Sequence, residues 1–110
     1  MARRDTADDV LTAEEVGAPL GERATLVQFS TAFCQPCRAT RRVLDEVAGM
    51  VDGVAHVEVD AESRLDLVRR LDVTATPTVL VLDASGRVVR RAAGQPRKPD
   101  VIAAIGAAVS

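Results

Sequence analysis

A chain of 110 residues, 47% apolar and 27% charged, holds enough material for one domain built around one core. Its net charge of −2 gives no electrostatic case for binding nucleic acid or an anionic membrane. No apolar stretch approaches the roughly 18–20 residues of a membrane-spanning helix, and the first ten residues are charged, without the apolar centre of a signal sequence.

The chain as given therefore reads as a cytoplasmic protein. A membrane-anchored, extracytoplasmic protein is the alternative if a longer precursor exists. Phe29 and Phe33 are the only aromatic residues, so the core must be made of Val, Leu, Ala and Ile.

Residues 1–11 read as a polar N-terminal extension and residues 12–110 as the domain. Thr12 followed by Glu15 has the spacing of a capping box, which predicts a short helix ended by Gly17, Pro19 and Gly21. A small edge strand at 9–11 is left open. Residues 25–30 are apolar and short enough for a buried strand, with Gln28 as the one polar side chain inside it. A long helix follows over 38–50, with Ala39, Val43, Leu44, Val47 and Met50 at intervals of three and four.

Residues 54–60 alternate as a strand covered on at least one face. A second helix is expected over 62–71, with Leu65, Leu67, Val68 and Leu71 inward and its arginines outward. Residues 78–82 form an unbroken apolar run suited to a central strand. Asp83-Ala84-Ser85-Gly86 reads as a hairpin turn into an Arg-rich edge strand over 87–91. A closing helix over 98–109 presents Val101, Ile102, Ile105 and Val109. Strands joined through helices are parallel and the hairpin is antiparallel, so a mixed α/β sheet with helices on both faces is expected.

The only two cysteines stand in Cys34-Gln35-Pro36-Cys37, where the first strand gives way to the long helix. The helix N-terminus offers unpaired N–H groups and a positive dipole end, which favour thiolate over thiol at the first sulfur. The second lies one helical turn on, close enough for a disulfide. This is a two-electron redox couple within one turn. Two plainer readings stand beside it. Inert buried cysteines are ordinary for this residue type. Half of a zinc site would need about four ligands, and the chain offers only His56 besides the two cysteines. In a reducing cytosol a lone Cys-x-x-Cys is more often catalytic than structural.

Across residues 12–109 the sequence resembles the thioredoxin family. Phe33-Cys34-Gln35-Pro36-Cys37-Arg38 is similar to that family's active-site segment, and Val73-Thr74-Ala75-Thr76-Pro77-Thr78 to its cis-proline loop. Val57-Glu58-Val59-Asp60, Ser85-Gly86-Arg87-Val88 and Gly94 match in the same order. The resemblance implies a thioredoxin fold, a mixed central sheet of four to five strands flanked by helices on both faces. It implies Cys34 as nucleophile, Cys37 as resolving cysteine, Pro77 as a cis-proline, and Phe33, Thr76 and Gly94 as contacts to substrate.

The departures are at Gln28, where the family carries a buried Asp, and at His56, where a Lys commonly accompanies it. His56 is expected either to carry the proton for Cys37 or to be a solvent-facing or satisfied structural imidazole, the latter being the plainer reading. Ser30 stands where the family has a Trp, and Phe33 replaces the Trp before the first Cys. Gln35 replaces a Gly, and the retained Pro36 leans toward a reductant.

The implied function is a thiol–disulfide oxidoreductase in electron transport and redox homeostasis, reducing protein disulfides through a mixed disulfide. It would need no metal and no cofactor beyond its own disulfide. Its partners would be proteins with disulfides or thiols and an electron-donating reductase or thiol protein, with the chain monomeric. An oxidase, an isomerase or a partner-specific thiol reductant is the alternative, and a binding module without turnover is the alternative of another class.

Overall fold

Strand β1 (Ala24–Ser30) is buried at every position, as a central strand covered on both faces must be. The structure, a computed structural model, describes residues 9–109; residues 1–8 of the expected extension lie outside the described residues. Around β1 the order is α1 (Ala13–Val16), β1, α2 (Gln35–Met50), β2 (Val54–Asp60), α3 (Leu65–Arg70), β3 (Thr78–Asp83), β4 (Val88–Ala93) and α4 (Lys98–Val109). The sheet order is β2-β1-β3-β4. The α2 crossover makes β1 and β2 parallel, and the β1–β3 and β3–β4 pairs are antiparallel. The named strands are four, the lower of the two numbers expected. Residues 9–11 add an isolated bridge, Val10 to Arg87, rather than a strand.

Period-2 alternation divides the core into two layers. Val27, Phe29, Val57, Val59, Leu80 and Leu82 meet Leu11, Val16, Leu67 and Leu71 on one face. Leu26, Val79 and Val81 meet Leu44 and Val47 of α2 and Val101 and Ile105 of α4 on the other. This is the thioredoxin arrangement expected, a mixed sheet with helices on both faces.

Local chemistry sets the element ends. Thr12 Oγ1 accepts the Glu15 N–H at 3.1 Å and Glu15 Oε1 accepts the Thr12 N–H at 3.0 Å, the expected capping box. Asp83 Oδ1 accepts from Ser85 N, Ser85 Oγ and Arg87 N, which closes the hairpin. Gly86 has φ +89°, and a Cβ there would lie 2.2 Å from the Leu11 carbonyl oxygen, so the turn and the residue 9–11 segment both require glycine.

Several expectations are corrected. The α3 helix starts at Leu65, not at 62, because the Asp60 carboxylate takes the Glu62 N–H and the Ser63 hydroxyl and holds them in a turn. Leu65 is exposed as a consequence. Two of the arginines expected to point outward reach instead to the N-terminal segment: Arg64 donates to the Glu15 carbonyl, and Arg70 to the Val10 carbonyl and the Glu15 carboxylate. On α2 the buried stripe is Cys37, Thr40, Leu44 and Val47, and Met50 is exposed. On α4 it is Val101, Ile105 and Ala108, and Ile102 is exposed. The last strand runs over Val88–Ala93 rather than 87–91, with a register shift between Val81 and Leu82.

Candidate active site

The sheet brings three chain segments to one end. Phe29 lies opposite Thr78, and Thr78 opposite Ala93, so the end of β1, the start of β3 and the end of β4 are aligned. The loops leaving these positions carry Cys34, Pro77 and Gly94.

Cys34 is the N-cap of α2, and its Sγ accepts the Cys37 N–H at 3.2 Å. Pro36 sits in the first turn, where a missing N–H costs nothing. The two cysteines are joined as a disulfide with Cα atoms 5.2 Å apart. Their surroundings differ: Cys34 is half-buried, whereas Cys37 is 1% exposed. Gln35 and Pro36 are exposed, and the Pro36 carbonyl accepts the Thr40 hydroxyl at 2.7 Å. Phe33 stands before Cys34 with φ +63° and its side chain 95% exposed. No packing holds this ring.

The second loop is bound to the first by a hydrogen bond between the Thr31 and Thr76 hydroxyls at 3.2 Å. The Thr76–Pro77 bond is cis. The Pro77 carbonyl accepts the Gly94 N–H at 2.8 Å, and Thr78 Oγ1 donates to the Ala75 carbonyl at 2.6 Å. Thr76 is half-buried at the rim of this site.

Behind the disulfide lies Gln28, 0% exposed. Its Nε2 donates to the Cys37 carbonyl at 2.8 Å and to Ser30 Oγ at 2.9 Å. Its Oε1 lies 3.0 Å from His56 Nε2, and His56 Nδ1 lies 2.6 Å from Asp45 Oδ1. The His56 side chain is 7% exposed, so it is a satisfied imidazole and not a solvent-facing one. Next to it Arg41 grips Glu58 through two hydrogen bonds of 2.8 Å. That guanidinium, with lesser help from Ser30 and His56, holds the Glu58 carboxyl below its ordinary range.

The residues singled out in the sequence thus gather at one end of the sheet: Cys34 and Cys37 on α2, Gln28 behind them, Thr76, Pro77 and Gly94 beside them. Sequence reasoning missed Asp45, Thr31 and the hydrogen-bonding role of Ser30. Thr31 follows the apolar strand directly and could have been flagged from its place before Cys34. Asp45 carries no local signal, because its partner is eleven residues away on a strand. Among the described residues no group of three or more His, Cys, Asp or Glu is gathered as metal ligands are, and no helix is long and apolar enough to cross a membrane.

The site is thus a disulfide at a helix N-terminus, its first cysteine half-buried and its second enclosed, on a mixed α/β sheet with helices on both faces. The thioredoxin family model matches residues 10–107, and the chain belongs to that family. It is 33% identical over 72 residues to thioredoxin H2-1 of Oryza sativa, covering 66% of this chain and 51% of that one. It is 30% identical over 74 residues to a thioredoxin of Staphylococcus saprophyticus, covering 66% of this chain and 71% of that one. The chain spans about half the length of the rice relative, and 13% of a human thioredoxin domain-containing protein that it also matches. Among solved structures, a thioredoxin from Halobacterium salinarum superposes with a TM-score of 0.73 at 19% identity, over 81% of this chain and 77% of that one. Thioredoxin F from spinach chloroplast gives 0.70 at 24% identity, over 82% and 80%.

Proposed function

We propose that this chain is a thiol–disulfide oxidoreductase that reduces protein disulfides. The observation that supports it most is the asymmetry of the pair: Cys34 caps the helix within reach of solvent, and Cys37 is enclosed at 1% exposure. The Cys34 thiolate, favoured by the helix N-terminus, attacks a sulfur of the target disulfide. The target S–S bond breaks, one target thiolate leaves, and a mixed disulfide forms on Cys34. Cys37 then attacks Cys34 Sγ. The Cys34–Cys37 bond forms and the second target sulfur leaves. The target gains two electrons, and the pair loses two.

Gln28 has no proton to exchange at this step, and His56 stands behind it with both ring nitrogens engaged. The departing target thiolate is the group that needs a proton at this step, and we assign it the one that Cys37 gives up. Phe33 offers an exposed apolar surface, and the Thr76–Pro77 loop with Gly94 offers a rim along which an extended peptide can lie. Gln35 and Pro36 set the turn between the sulfurs. We assign the reducing equivalents to a reductase or another thiol protein, with no metal or bound organic cofactor, in a monomeric cytosolic domain spanning residues 12–110 with residues 9–11 packed against it.

The test is turnover of a protein disulfide with an excess of small thiol as electron source. Wild type is expected to accelerate it. Cys34→Ser is expected to abolish turnover, and Cys37→Ser to accumulate the target as a mixed disulfide on Cys34. Equal turnover by wild type and Cys34→Ser would remove the proposal in favour of a binding module.

A further inference from the structure

The hydrogen bonds behind the disulfide fix which atoms carry protons. The Cys37 carbonyl only accepts, so the Gln28 atom that meets it at 2.8 Å is the amide NH2 group. The second N–H of that group goes to Ser30 Oγ. The Gln28 oxygen is thereby turned to His56 Nε2, 3.0 Å away, and an amide oxygen also only accepts. His56 Nε2 therefore bears hydrogen. The opposite nitrogen, Nδ1, is 2.6 Å from Asp45 Oδ1, a separation that holds one proton between the two atoms. The line Asp45–His56–Gln28–Cys37 is complete only with that second proton in place.

The charged groups around the ring come from three elements. Asp45 belongs to α2, as does Arg41, which is committed to Glu58. Glu58 is on β2, two residues beyond His56 on the same strand face. From β1 the facing group is Gln28, which is neutral. Lys98 of α4 is paired with Glu46.

We propose that Asp45 and His56 are positioning residues for the Cys34–Cys37 pair, acting through Gln28, and that the proton they share couples the redox equilibrium of the pair to pH. This rests on the oxidoreductase reading above. Asp45 is 64% exposed while the imidazole is 7% exposed and Gln28 is fully buried. When the shared proton leaves, Nδ1 and Oδ1 face each other as lone pairs. The exposed carboxylate is then the member that turns away, and the ring keeps its Nε2–H on Gln28. The positive charge of the ring leaves with the proton.

Reduction of the disulfide by two electrons and one proton from a donor dithiol yields one thiol and one thiolate at this end of α2. A charged ring, one amide away from the Cys37 carbonyl, favours that thiolate through its positive charge. By linkage, reduction then favours the protonated ring to the same degree.

His56 is the only histidine in the chain, so every imidazole signal is its own. The experiment follows the ring nitrogens by NMR from pH 5 to 9, in the oxidised protein and in the protein reduced with excess dithiol. It is paired with the reduction potential measured over the same range for wild type, Asp45→Asn and His56→Gln. We expect Nε2 to stay protonated throughout, the lost proton to come from Nδ1, and the titration to lie at higher pH in the reduced protein. The wild-type potential should depart from that of His56→Gln between those two titrations. In Asp45→Asn, at an exposed position that leaves folding intact, the ring should lose its proton at lower pH, because the amide can donate to a bare Nδ1.

The proposal is overturned by ring titrations that coincide in the two redox states, by a ring protonated on Nδ1 alone, or by Asp45→Asn titrating as wild type does. If thiols stay free at every redox poise, the oxidoreductase reading falls and takes this proposal with it; a protein that cycles normally but shows coincident titrations defeats this proposal alone.

Discussion

Replacing Gln28 by leucine keeps the bulk of the side chain and strips three hydrogen bonds from a site with no access to water. Gln28 gives its two N–H groups to the Cys37 carbonyl and Ser30 Oγ, and takes the His56 Nε2–H. A buried polar group left alone costs about 1–3 kcal/mol, against about 0.5–1.5 kcal/mol for a bond whose partner finds another. The three groups left behind differ in this respect. The Ser30 hydroxyl rotates, and the Cys37 carbonyl sits in a helix whose own ladder supplies a donor. The imidazole N–H is held by a ring that is 7% exposed and has nowhere to turn.

One full penalty of about 2 kcal/mol and two lesser losses of about 0.5–1 kcal/mol each give about 3–4 kcal/mol. The leucine returns about 1 kcal/mol through its apolar surface. The expected net loss is about 2–3 kcal/mol, a large part of the roughly 5–15 kcal/mol that holds a domain together. It corresponds to a fall of roughly 8–24 °C in Tm. The assay is urea unfolding of the oxidised protein followed by far-ultraviolet circular dichroism, since the chain has no Trp or Tyr to report by fluorescence. A loss below about 0.5 kcal/mol would refute the reasoning. The double variant with His56→Leu should cost about 1 kcal/mol less than the two singles summed, because both partners are then apolar.

Two further outcomes follow from the same geometry. Phe33→Gly removes a fully exposed ring from a residue with φ +63°, so stability should rise by about 1 kcal/mol. Exchange with a protein disulfide should slow several-fold while exchange with a small disulfide stays as it was; an equal effect on both would refute a docking role for the ring. Glu58 is held below its ordinary carboxyl range mainly by Arg41. Its stabilising effect is therefore full above the unfolded value of about 4.3 and is lost as pH falls through the lower folded value. Glu58→Gln should cost about 0.5–1 kcal/mol at pH 7, as a partly exposed pair does, and the difference should shrink steadily in urea titrations as pH falls below about 4. A cost that does not change with pH across the acid range would assign the effect to something other than the charge.

The order of elements could be read from the sequence because its signals are local. The Thr12–Glu15 spacing, the apolar run of 78–82 and the Asp83–Gly86 turn each act within a few residues. The cysteines at a strand-to-helix junction also carried their own meaning. Helical stripes were less informative at their ends. Met50 and Leu65 fit an apolar period, yet they are the last and first residues of their helices, and Ile102 stands one residue off the buried Val101, Ile105 and Ala108 stripe. The Asp60 side chain delayed α3 by capping a turn, which no periodicity reveals. Asp45 was invisible for a different reason. Its role depends on how α2 lies over β2, and that is set by Leu44 and Val47 packing on Leu26 and Val81 rather than by anything near Asp45.

The most direct test of the account is the reduction potential of the Cys34–Cys37 pair. The protein is equilibrated in thiol/disulfide buffers of known poise, free thiols are trapped, and the fraction is counted by mass spectrometry. The account predicts one reversible two-electron transition near the roughly −270 mV of thioredoxins. A transition near about −180 to −120 mV, the range of isomerases and strong oxidants, would contradict the reductase assignment, and thiols that stay free at every poise would contradict the redox reading altogether.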